Sequence, residues 1–424
     1  MCAALAGTGA AKRAPNSRPS SAAPLSGVNI PGLGPNSTLA GADRSVARTR
    51  ALHARIIRLG VGWSTLEPEA PGRVDARAQA FLDRLTADAA KDGIGVVMTV
   101  DSTPCWASSA PSSLMRTCVA SMSSRANAWP PRDPADYAAM VGYLAARYGP
   151  RLAAIEVWNE PDQANELYFA GPEKPQRYAA ILRAAYPAIK QADPNVPVLG
   201  GSLVGSNGVF LRALYAAGVK GYYDGLAVHF YNLTLGSLRA IHETQLANGD
   251  ATPLWLDEFG WSSCWPHHRV QQEQACVTTK VQAANVTNLF RSLARTPYVA
   301  ADALYDLQGS VAEDFGVLNE HGTRKPAFGA LSRVLASPFG SPSRVTLKLG
   351  SRHGAILASG SGPVGDYMEL EVSRSGLLRY KALFTLDRFN RFSIPLPAAL
   401  GTRGLTVRVF QYWAGRGRAA QRSI

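Results

Sequence analysis

Two apolar segments of the chain each end in a glutamate, and they constrain its fold more than any other feature. Residues 155–161 read Ile-Glu-Val-Trp-Asn-Glu-Pro, which is typical of a buried strand that stops at a proline. Residues 254–260 read Leu-Trp-Leu-Asp-Glu-Phe-Gly, about a hundred residues later. Each predicted strand therefore carries a glutamate, Glu160 or Glu258, at its C-terminal end.

Strands and helices alternate regularly between residues 26 and 338. Eight apolar, β-branched segments predict strands, at residues 27–30, 55–59, 94–100, 152–158, 196–201, 225–231, 254–259 and 301–307. Segments of helical periodicity separate them, and the helix predicted for residues 175–192 is expected to break at Pro187. This order predicts an α/β fold, a (β/α)8 TIM barrel. An open doubly wound sheet is the alternative, but the glycine-rich phosphate turn expected after its first strand is absent.

The pattern changes after residue 338. Short alternating segments spaced by Gly, Ser and Pro predict a small all-β sandwich at the C-terminus. We therefore expect a flexible N-terminal segment (1–25), a barrel (26–338) and a β-sandwich domain (339–424). The last domain either binds sugar or covers one side of the barrel, and its lack of a catalytic constellation favours the second interpretation.

Composition and charge restrict the partners without selecting one. The chain is 46% hydrophobic and 18% charged, as in soluble globular proteins, and has no apolar run long enough to cross a bilayer. A net charge of +13 is compatible with an acidic polysaccharide, nucleic acid or an acidic cell surface. Its arginines are scattered and not interleaved with aromatics, so no nucleic-acid partner is expected. We expect a monomer.

Five cysteines leave one unpaired. Cys105 and Cys118 follow one predicted strand, and Cys264 and Cys276 follow another, which suggests two disulfides that close loops at one end of the barrel. Reduced, unrelated thiols are the alternative. Oxidised pairs would indicate an extracytoplasmic or secreted protein, although residues 1–24 are too weakly apolar for a clear signal peptide.

The two glutamates suggest a chemistry. The C-terminal ends of barrel strands gather at one mouth, where the active sites of this fold lie. Two facing carboxylates at that mouth are what glycosidic bond cleavage needs, one as proton donor and one as nucleophile or base. The residue types and their placement therefore predict a glycosidase that acts on a polysaccharide or oligosaccharide, with an open groove for internal cleavage as the favoured form.

The motif Trp-Asn-Glu-Pro at residues 158–161, together with Glu258, resembles clan A of the glycoside hydrolases over residues 26–336. Residues 224–231, 256–260, 315–318 and 325–328 and the trailing β-domain are most similar to family 39, including its bacterial exopolysaccharide-cleaving members. The resemblance implies that Glu160 is the acid/base and Glu258 the nucleophile of a retaining double displacement. It implies carboxyl groups about 5–5.5 Å apart.

The same resemblance implies supporting roles for other residues near the strand ends. Asn159 would hydrogen-bond the sugar 2-hydroxyl, Tyr231 would donate to Glu258, and Arg58 would keep Glu258 ionised. Asn29 and His229 are further candidates for substrate contact, with a core histidine as the alternative for the latter. Four tryptophans that follow strand ends are candidates for stacking on sugar rings: Trp63, Trp106, Trp261 and Trp265.

One position departs from the clan. Many members carry a tryptophan on strand eight, where this chain has Tyr305. Glu156 lies within its strand and is expected to face an arginine in the barrel core. No metal site or cofactor is predicted, since the adjacent His267 and His268 point to opposite sides. The rival functions are a catalytically silent, glycan-binding barrel and an anionic-polymer-binding surface protein.

Overall fold

The computed structural model describes residues 23–119, 124–231, 235–266, 276–310, 313–340, 344–352, 355–364, 367–412 and 419–424. Eight parallel strands form a closed barrel in which β1 pairs with both β2 and β8. They are β1 Leu25–Leu33, β2 Ile56–Gly62, β3 Gly95–Asp101, β4 Leu152–Val157, β5 Val198–Leu203, β6 Gly225–His229, β7 Leu254–Phe259 and β8 Val299–Leu304. The predicted (β/α)8 barrel is confirmed.

Helices connect the strands and surround the barrel. They are α1 Leu39–Ala51, α2 Trp63–Leu66, α3 Ala76–Lys91, α4 Ser112–Met115, α5 Pro134–Tyr148, α6 Lys174–Ala192, α7 Val209–Ala216, α8 Leu235–Ala247, α9 Thr279–Leu293 and α10 Pro326–Ala336. Side-chain oxygens cap several N-termini; Asp75, for example, accepts from two backbone N–H groups of α3. No described helix has the length and apolar character needed to traverse a bilayer.

Helix α6 runs through Pro187 without a break, so the predicted interruption is wrong. A proline inside a helix removes one backbone donor and crowds the preceding turn. Here the helix buries one face against the core and α5, through Tyr178, Ala179, Ile181, Leu182, Ala185 and Ile189. The burial of these side chains outweighs the local cost of the proline and keeps the helix continuous.

The barrel interior is layered because alternate residues of each strand point inward. Its floor is an apolar cluster that includes Ile56, Ala154, Ala227 and Trp255. Two residues further along the same strands, the inward positions are titratable: Arg58, Glu156, His229 and Asp257. A polar layer therefore lies directly above an apolar floor, at the level where the strands approach the mouth.

The C-terminal β unit, defined as residues 346–423, consists of two antiparallel sheets. Their strands are β9 Thr346–Arg352, β10 Ala355–Ser361, β11 Met368–Arg374, β12 Leu377–Phe384, β13 Arg391–Pro395, β14 Leu405–Gln411 and β15 Ala420–Ser423. The sheets enclose a separate core that includes Leu347, Met368, Leu370, Val407 and Val409. The predicted all-β domain is confirmed, with β15 as an additional strand paired to β14.

Both predicted disulfides are present. Cys105–Cys118 closes the loop after β3, and Cys264–Cys276 closes the loop after β7. Cys2 lies outside the described residues, as do His267 and His268. The two bridges constrain loops at the C-terminal end of the barrel, which is the end where the glutamates lie.

Candidate active site

Glu160 and Glu258 face one another at the C-terminal end of the barrel. One carboxylate oxygen of each and a ring nitrogen of His229 all lie within 4.8 Å of one another. His229 Nδ1 is 2.9 Å from Glu160 Oε1 and 3.4 Å from Glu258 Oε2. Both carboxylates are largely shielded from solvent, with 8% and 13% of their side chains exposed. The two acids therefore share one narrow, partly desolvated space.

The chain reaches Glu160 through a sharp turn after β4. Trp158 and Glu160 both adopt left-handed backbone conformations, with φ of 72° and 44°. Such conformations are unfavourable for residues other than glycine and persist only where surrounding contacts hold them. Trp158 is fully buried and its indole N–H donates to the Tyr168 carbonyl at 2.8 Å. This anchoring holds the turn that places Glu160 at the mouth.

Two donors hold Glu258. Arg58 Nη1 donates to Glu258 Oε2 at 2.9 Å, and the Tyr231 hydroxyl donates to Glu258 Oε1. Burial and the Glu258 charge raise the pKa of Tyr231 well above its usual value, so this hydroxyl stays protonated and keeps donating. A carboxylate held by two donors has a defined orientation, and the bond from Arg58 is charge-assisted.

Gln163 holds Glu160 from the other side and was not singled out from the sequence. Its Nε2 donates to Glu160 Oε2 at 2.6 Å, while His229 Nδ1 meets Oε1. Gln163 Oε1 is buried and has no hydrogen-bond partner among the described residues. In the sequence, the signal for this contact was that Gln163 follows Glu160 by three residues, across a proline and a turn.

Arg58 connects most of the polar layer. Its guanidinium donates to Glu156 at 2.8 and 3.1 Å, to Asn29 Oδ1 at 3.0 Å and to Asn159 Oδ1 at 2.9 Å. It also lies 3.5 Å from Asp257. Burial would lower the pKa of Arg58, but the surrounding carboxylates outweigh it and raise that pKa well above its usual value. Arg58 is therefore a permanent charge at the centre of the site.

Glu156 is the buried counter-ion of Arg58, as its strand position suggested. Burial alone would raise the pKa of Glu156, but the charge and hydrogen bonds of Arg58 outweigh it and lower the pKa to about 2. Thr99 Oγ1 donates to it at 2.6 Å, and Ser202 Oγ also donates. Each carboxylate oxygen of Glu156 thus accepts two hydrogen bonds, which suits a buried charge.

His229 lies between the acids rather than on an exposed surface, and its side chain is completely buried. Burial would lower its pKa, but the charge of Glu258 and the hydrogen bonds of Asp257 and Glu160 outweigh it and raise the pKa to about 10. His229 therefore carries a proton on both nitrogens at neutral pH. The expectation that it contacts substrate is replaced by a role in holding the glutamates.

Asp257 is the second buried acid of this layer and was also missed. Burial and the charge of Glu156 raise the pKa of Asp257 to about 7, against the opposing effects of Arg58 and His229. Its Oδ1 is 3.5 Å from His229 Nε2. The period of two along β7, counted from the buried Trp255, was the signal that placed Asp257 inward.

Two other predicted substrate contacts are corrected by the structure. Asn29 is 4% exposed, and its amide donates to the Asp257 carbonyl at 2.9 Å while its oxygen accepts from Arg58. Trp63 is fully buried; its N–H donates to Glu67 at 2.8 Å and its ring packs edge-on against Trp106. Both side chains are committed to the protein interior and offer no free surface to a sugar.

The remaining aromatic candidates differ in exposure. Trp106 is half-buried and donates to the Glu67 carbonyl at 2.9 Å, whereas Trp261 is only 8% exposed. Trp265 is 36% exposed and lies in the loop after β7. Tyr305, on the segment after β8, donates to Glu313 at 2.9 Å and packs edge-on against Tyr231. Trp265 therefore offers the largest accessible ring among the four tryptophan candidates.

Two groups of side chains are close enough in principle to bind a metal ion: Glu156, His229 and Asp257, and Glu160, His229 and Glu258. Both groups contain His229, whose protonated ring has no lone pair to offer a metal. Arg58 already donates to Glu156 and Glu258. This donor set is that of a charge-balanced ion-pair network and not of a metal centre.

Comparison with known proteins shows the class to which this fold belongs. No protein-family model matches the sequence, and no curated protein matches it. The structure is similar to solved structures of glycoside hydrolases, three of which are described below. Each of these three is less than 20% identical in sequence to this chain, so the similarity establishes the fold alone.

Three of the similar solved structures are family 39 glycoside hydrolases. A family 39 glycoside hydrolase from Bacteroides cellulosilyticus WH2 is similar with a TM-score of 0.56 and 18% identity, over 90% of this chain and 79% of that one. A GH39 enzyme from Xanthomonas axonopodis pv. citri is similar with a TM-score of 0.56 and 15% identity, over 89% of this chain and 93% of that one. A GH39 β-xylosidase from Caulobacter crescentus is similar with a TM-score of 0.54 and 15% identity, over 94% of this chain and 98% of that one.

Proposed function

We propose that this protein is a retaining glycoside hydrolase that cleaves O-glycosidic bonds by double displacement. The observation that carries the proposal is the pair Glu160 and Glu258, brought from β4 and β7 to within 4.8 Å of one another. Retaining glycosidases need carboxyl groups about 5–5.5 Å apart, so that one attacks directly, whereas inverting enzymes need room for a water. The spacing supports the retaining mechanism.

In the first step Glu258 attacks the anomeric carbon and forms the glycosyl-enzyme, while Glu160 donates its proton to the departing oxygen. Arg58 and Tyr231 hold the nucleophile in one orientation before it attacks. Arg58 also donates to Asn159 Oδ1, which leaves the side-chain Nδ2 of Asn159 to donate to the sugar 2-hydroxyl.

In the second step Glu160, now ionised, takes a proton from water as the water attacks the anomeric carbon and releases Glu258. Gln163 Nε2 contacts one carboxylate oxygen of Glu160 and His229 Nδ1 the other, so both neighbours hold Glu160 in place as the water approaches. Two inversions at the anomeric carbon give a product with the starting configuration.

We infer an extracytoplasmic location from the two disulfides, since such bonds persist in oxidising compartments. The division into a barrel of residues 26–338 and a β-sandwich domain of residues 339–424 is part of the same proposal. The monomeric state also stays a prediction.

The proposal is tested by screening aryl glycosides and bacterial exopolysaccharides and reading the first-formed anomer by proton NMR. Retention is expected. Replacing either acid, as Glu160→Gln or Glu258→Gln, is expected to lower kcat by roughly a thousandfold or more. An inverted first product would overturn the mechanism. Sugar binding without turnover by the wild-type protein would instead support the silent, glycan-binding barrel.

A further inference from the structure

The net charge of this protein is concentrated at its C-terminus. Residues 339–424 contain 13 of the 44 Lys and Arg residues but only 4 of the 31 Asp and Glu residues, so they carry +9 of the net +13. The remaining 338 residues carry +4. The barrel is thus nearly balanced, and the C-terminal segment accounts for most of the positive charge.

The excess of basic over acidic side chains in residues 339–424 is larger still at the surface, because two of the acidic side chains are buried. Glu369 and Glu371 are 3% and 6% exposed, within the four-stranded sheet. Among the described residues of the C-terminal segment, Asp387 is the one exposed carboxylate. Ten basic residues are exposed there: Arg344, Lys348, Arg374, Arg379, Lys381, Arg388, Arg391, Arg403, Arg408 and Arg422. Such a surface attracts anions over distances of about a Debye length, roughly 8–10 Å at physiological salt.

One sheet face combines these cations with hydroxyl groups. In the three-stranded sheet, Ser359 of the central strand β10 lies between Lys348 and Ser393, and Ser361 of the same strand lies between Thr346 and Arg391. Residues opposite one another on paired strands share a face. The other face of this sheet carries the buried Leu347 and Phe392. We call the outward side, formed by Thr346, Lys348, Ser359, Ser361, Arg391 and Ser393, the hydroxyl face.

The hydroxyl face continues toward the barrel mouth. The guanidinium of Arg391 lies over the Phe389 ring at 4.9 Å, and Phe389 packs edge-on against Trp265 at 5.9 Å. The guanidinium of Arg388 lies over the Trp265 ring at 5.4 Å. Trp265 follows Cys264 in the loop after β7, the strand that carries Glu258. An Asn390–Asn285 hydrogen bond of 2.6 Å ties the same turn to α9.

We propose that the hydroxyl face, with Arg388 and Trp265, is a docking surface for an acidic polysaccharide, the polymer that the barrel cleaves. This inference rests on the proposed glycosidase function, because that function makes a polysaccharide the partner brought to this end of the molecule. Cations meet the carboxylates of the polymer, and the Ser and Thr hydroxyls meet its sugar hydroxyls. Nucleic acid fits less well, since successive bases stack on several aromatic rings, whereas this docking surface includes Trp265 alone, with the Arg388 guanidinium already over its ring.

The test measures binding in the absence of turnover, so it is independent of the catalytic proposal. Fluorescently labelled polygalacturonate is titrated with the full-length Glu160→Gln protein at low ionic strength, with neutral pullulan and a single-stranded oligonucleotide in parallel. Polygalacturonate is expected to bind most tightly, with an affinity that falls as salt is added. Equal binding of pullulan, or tighter binding of the oligonucleotide, would overturn the proposal.

A matched pair of triple variants locates the surface. Lys348→Glu/Arg388→Glu/Arg391→Glu removes the cations of the docking surface, and Arg379→Glu/Arg403→Glu/Arg422→Glu makes the same charge change elsewhere in the β unit. The first is expected to weaken polygalacturonate binding at least tenfold and the second less than threefold. Equal losses would show that net charge, and not this surface, binds the polymer.

A further variant tests whether a loss of binding could result from misfolding. The neutral variant Lys348→Gln/Arg388→Gln/Arg391→Gln is expected to keep the wild-type melting temperature within a few degrees while losing most of the affinity. If it binds polygalacturonate as tightly as the unsubstituted protein, the docking surface is refuted, whether or not the barrel hydrolyses any glycoside. If it loses affinity and melts normally, the surface is supported independently of catalysis.

Discussion

At the scale of single residues, this protein surrounds two reactive carboxylates with groups of fixed protonation. Arg58 and His229 supply positive charge, Glu156 supplies negative charge, and Tyr231 supplies a neutral donor. Burial opposes the charge of Arg58, His229 and Glu156, and specific neighbours outweigh it, whereas burial and the Glu258 charge act together on Tyr231. In the proposed reaction Glu160 would release and regain a proton and Glu258 would form and break a bond, while the charges around them stay fixed.

Gln163 is expected to act through Glu160. In Gln163→Leu, Glu160 loses a donor at 2.6 Å, so its orientation toward the leaving group loosens. We expect kcat/KM to fall roughly ten- to a hundredfold for aryl glycosides with poor leaving groups, which need the proton, and little for good ones. The measurement is a series of substrates graded by leaving-group pKa. A uniform loss across the series would indicate a merely structural role.

Arg58 is expected to contribute strongly to stability. Arg58→Met leaves Glu156 and its neighbours buried without their counter-ion, which costs about 3–5 kcal/mol of unfolding free energy. The measurement is urea unfolding at neutral pH. Arg55→Met, at an exposed position three residues earlier, is the control and should cost less than about 0.5 kcal/mol. Similar losses in both variants would contradict the network described above.

The protonation of His229 predicts how stability depends on pH. Its pKa is about 10 in the folded protein against an ordinary 6.5, so the folded state holds one more proton between these values. The stabilisation is complete below pH 6.5 and is lost as the pH rises through about 10, at up to about 1.4 kcal/mol per pH unit. His229→Gln should flatten this slope in unfolding curves between pH 7 and 9. An unchanged slope would show that His229 is not the group responsible.

At the scale of secondary-structure elements, a period of two organises the site. Inward residues of the strands form an apolar floor, and two positions later they form the polar layer of Arg58, Glu156, His229 and Asp257. The loops that follow add Glu160 and Tyr231. Two of these loops, after β3 and after β7, are closed by disulfides. Glu258 thus lies at the end of β7 and Glu160 in the turn directly after β4, and disulfides close two of the surrounding loops.

Each disulfide is expected to stabilise the folded protein. Removing the bridge in Cys105→Ser/Cys118→Ser frees a loop of sequence separation 13 in the unfolded chain. The expected loss is roughly 3 kcal/mol of unfolding free energy, by the chain-entropy relation. Guanidinium unfolding checks it, with Cys2→Ser as a control that should leave the midpoint unchanged. Equal stability of the double variant would show that this bridge does not constrain the unfolded chain.

At the scale of the whole molecule, a nearly neutral barrel is joined to a strongly basic β unit. The turn that includes Phe389 and Asn390 connects them at the end of the barrel that carries the glutamates. In the docking proposal, the β unit binds the polymer in addition to covering one side of the barrel. Its charge would bring an acidic polymer to the groove in which the bond is cleaved.

The same charge predicts the assembly state. A molecule of net charge +13 repels its own copies at low ionic strength, so we expect a monomer of 45.2 kDa by light scattering coupled to gel filtration. Screening by salt should leave the mass unchanged. A stable dimer at low salt would contradict this expectation, because its interface would have to overcome the repulsion.

Much of this architecture was readable without coordinates. The eight strands follow from local hydrophobic runs, and the 254–259 strand matches β7 residue for residue. The placement of Glu160 and Glu258 followed from strand ends, which a proline or a change in polarity marks, whereas their separate roles were implied by the resemblance to clan A. By contrast, the burial of Trp63 and Asn29 and the continuity of α6 through Pro187 depend on packing between distant segments, which local patterns do not report.

The sequence by itself determined the strand order, the barrel and the two glutamates, because hydrophobic periodicity and chain breaks are local properties. Only the tertiary structure decided which neighbours these acids have. Arg58 contacts Glu156 and Glu258 across 98 and 200 residues, and His229 and Asp257 acquire their neighbours only when the barrel closes. The physical reason is that protonation and hydrogen bonding depend on burial and on charges a few ångströms away, and closure of the barrel determines both.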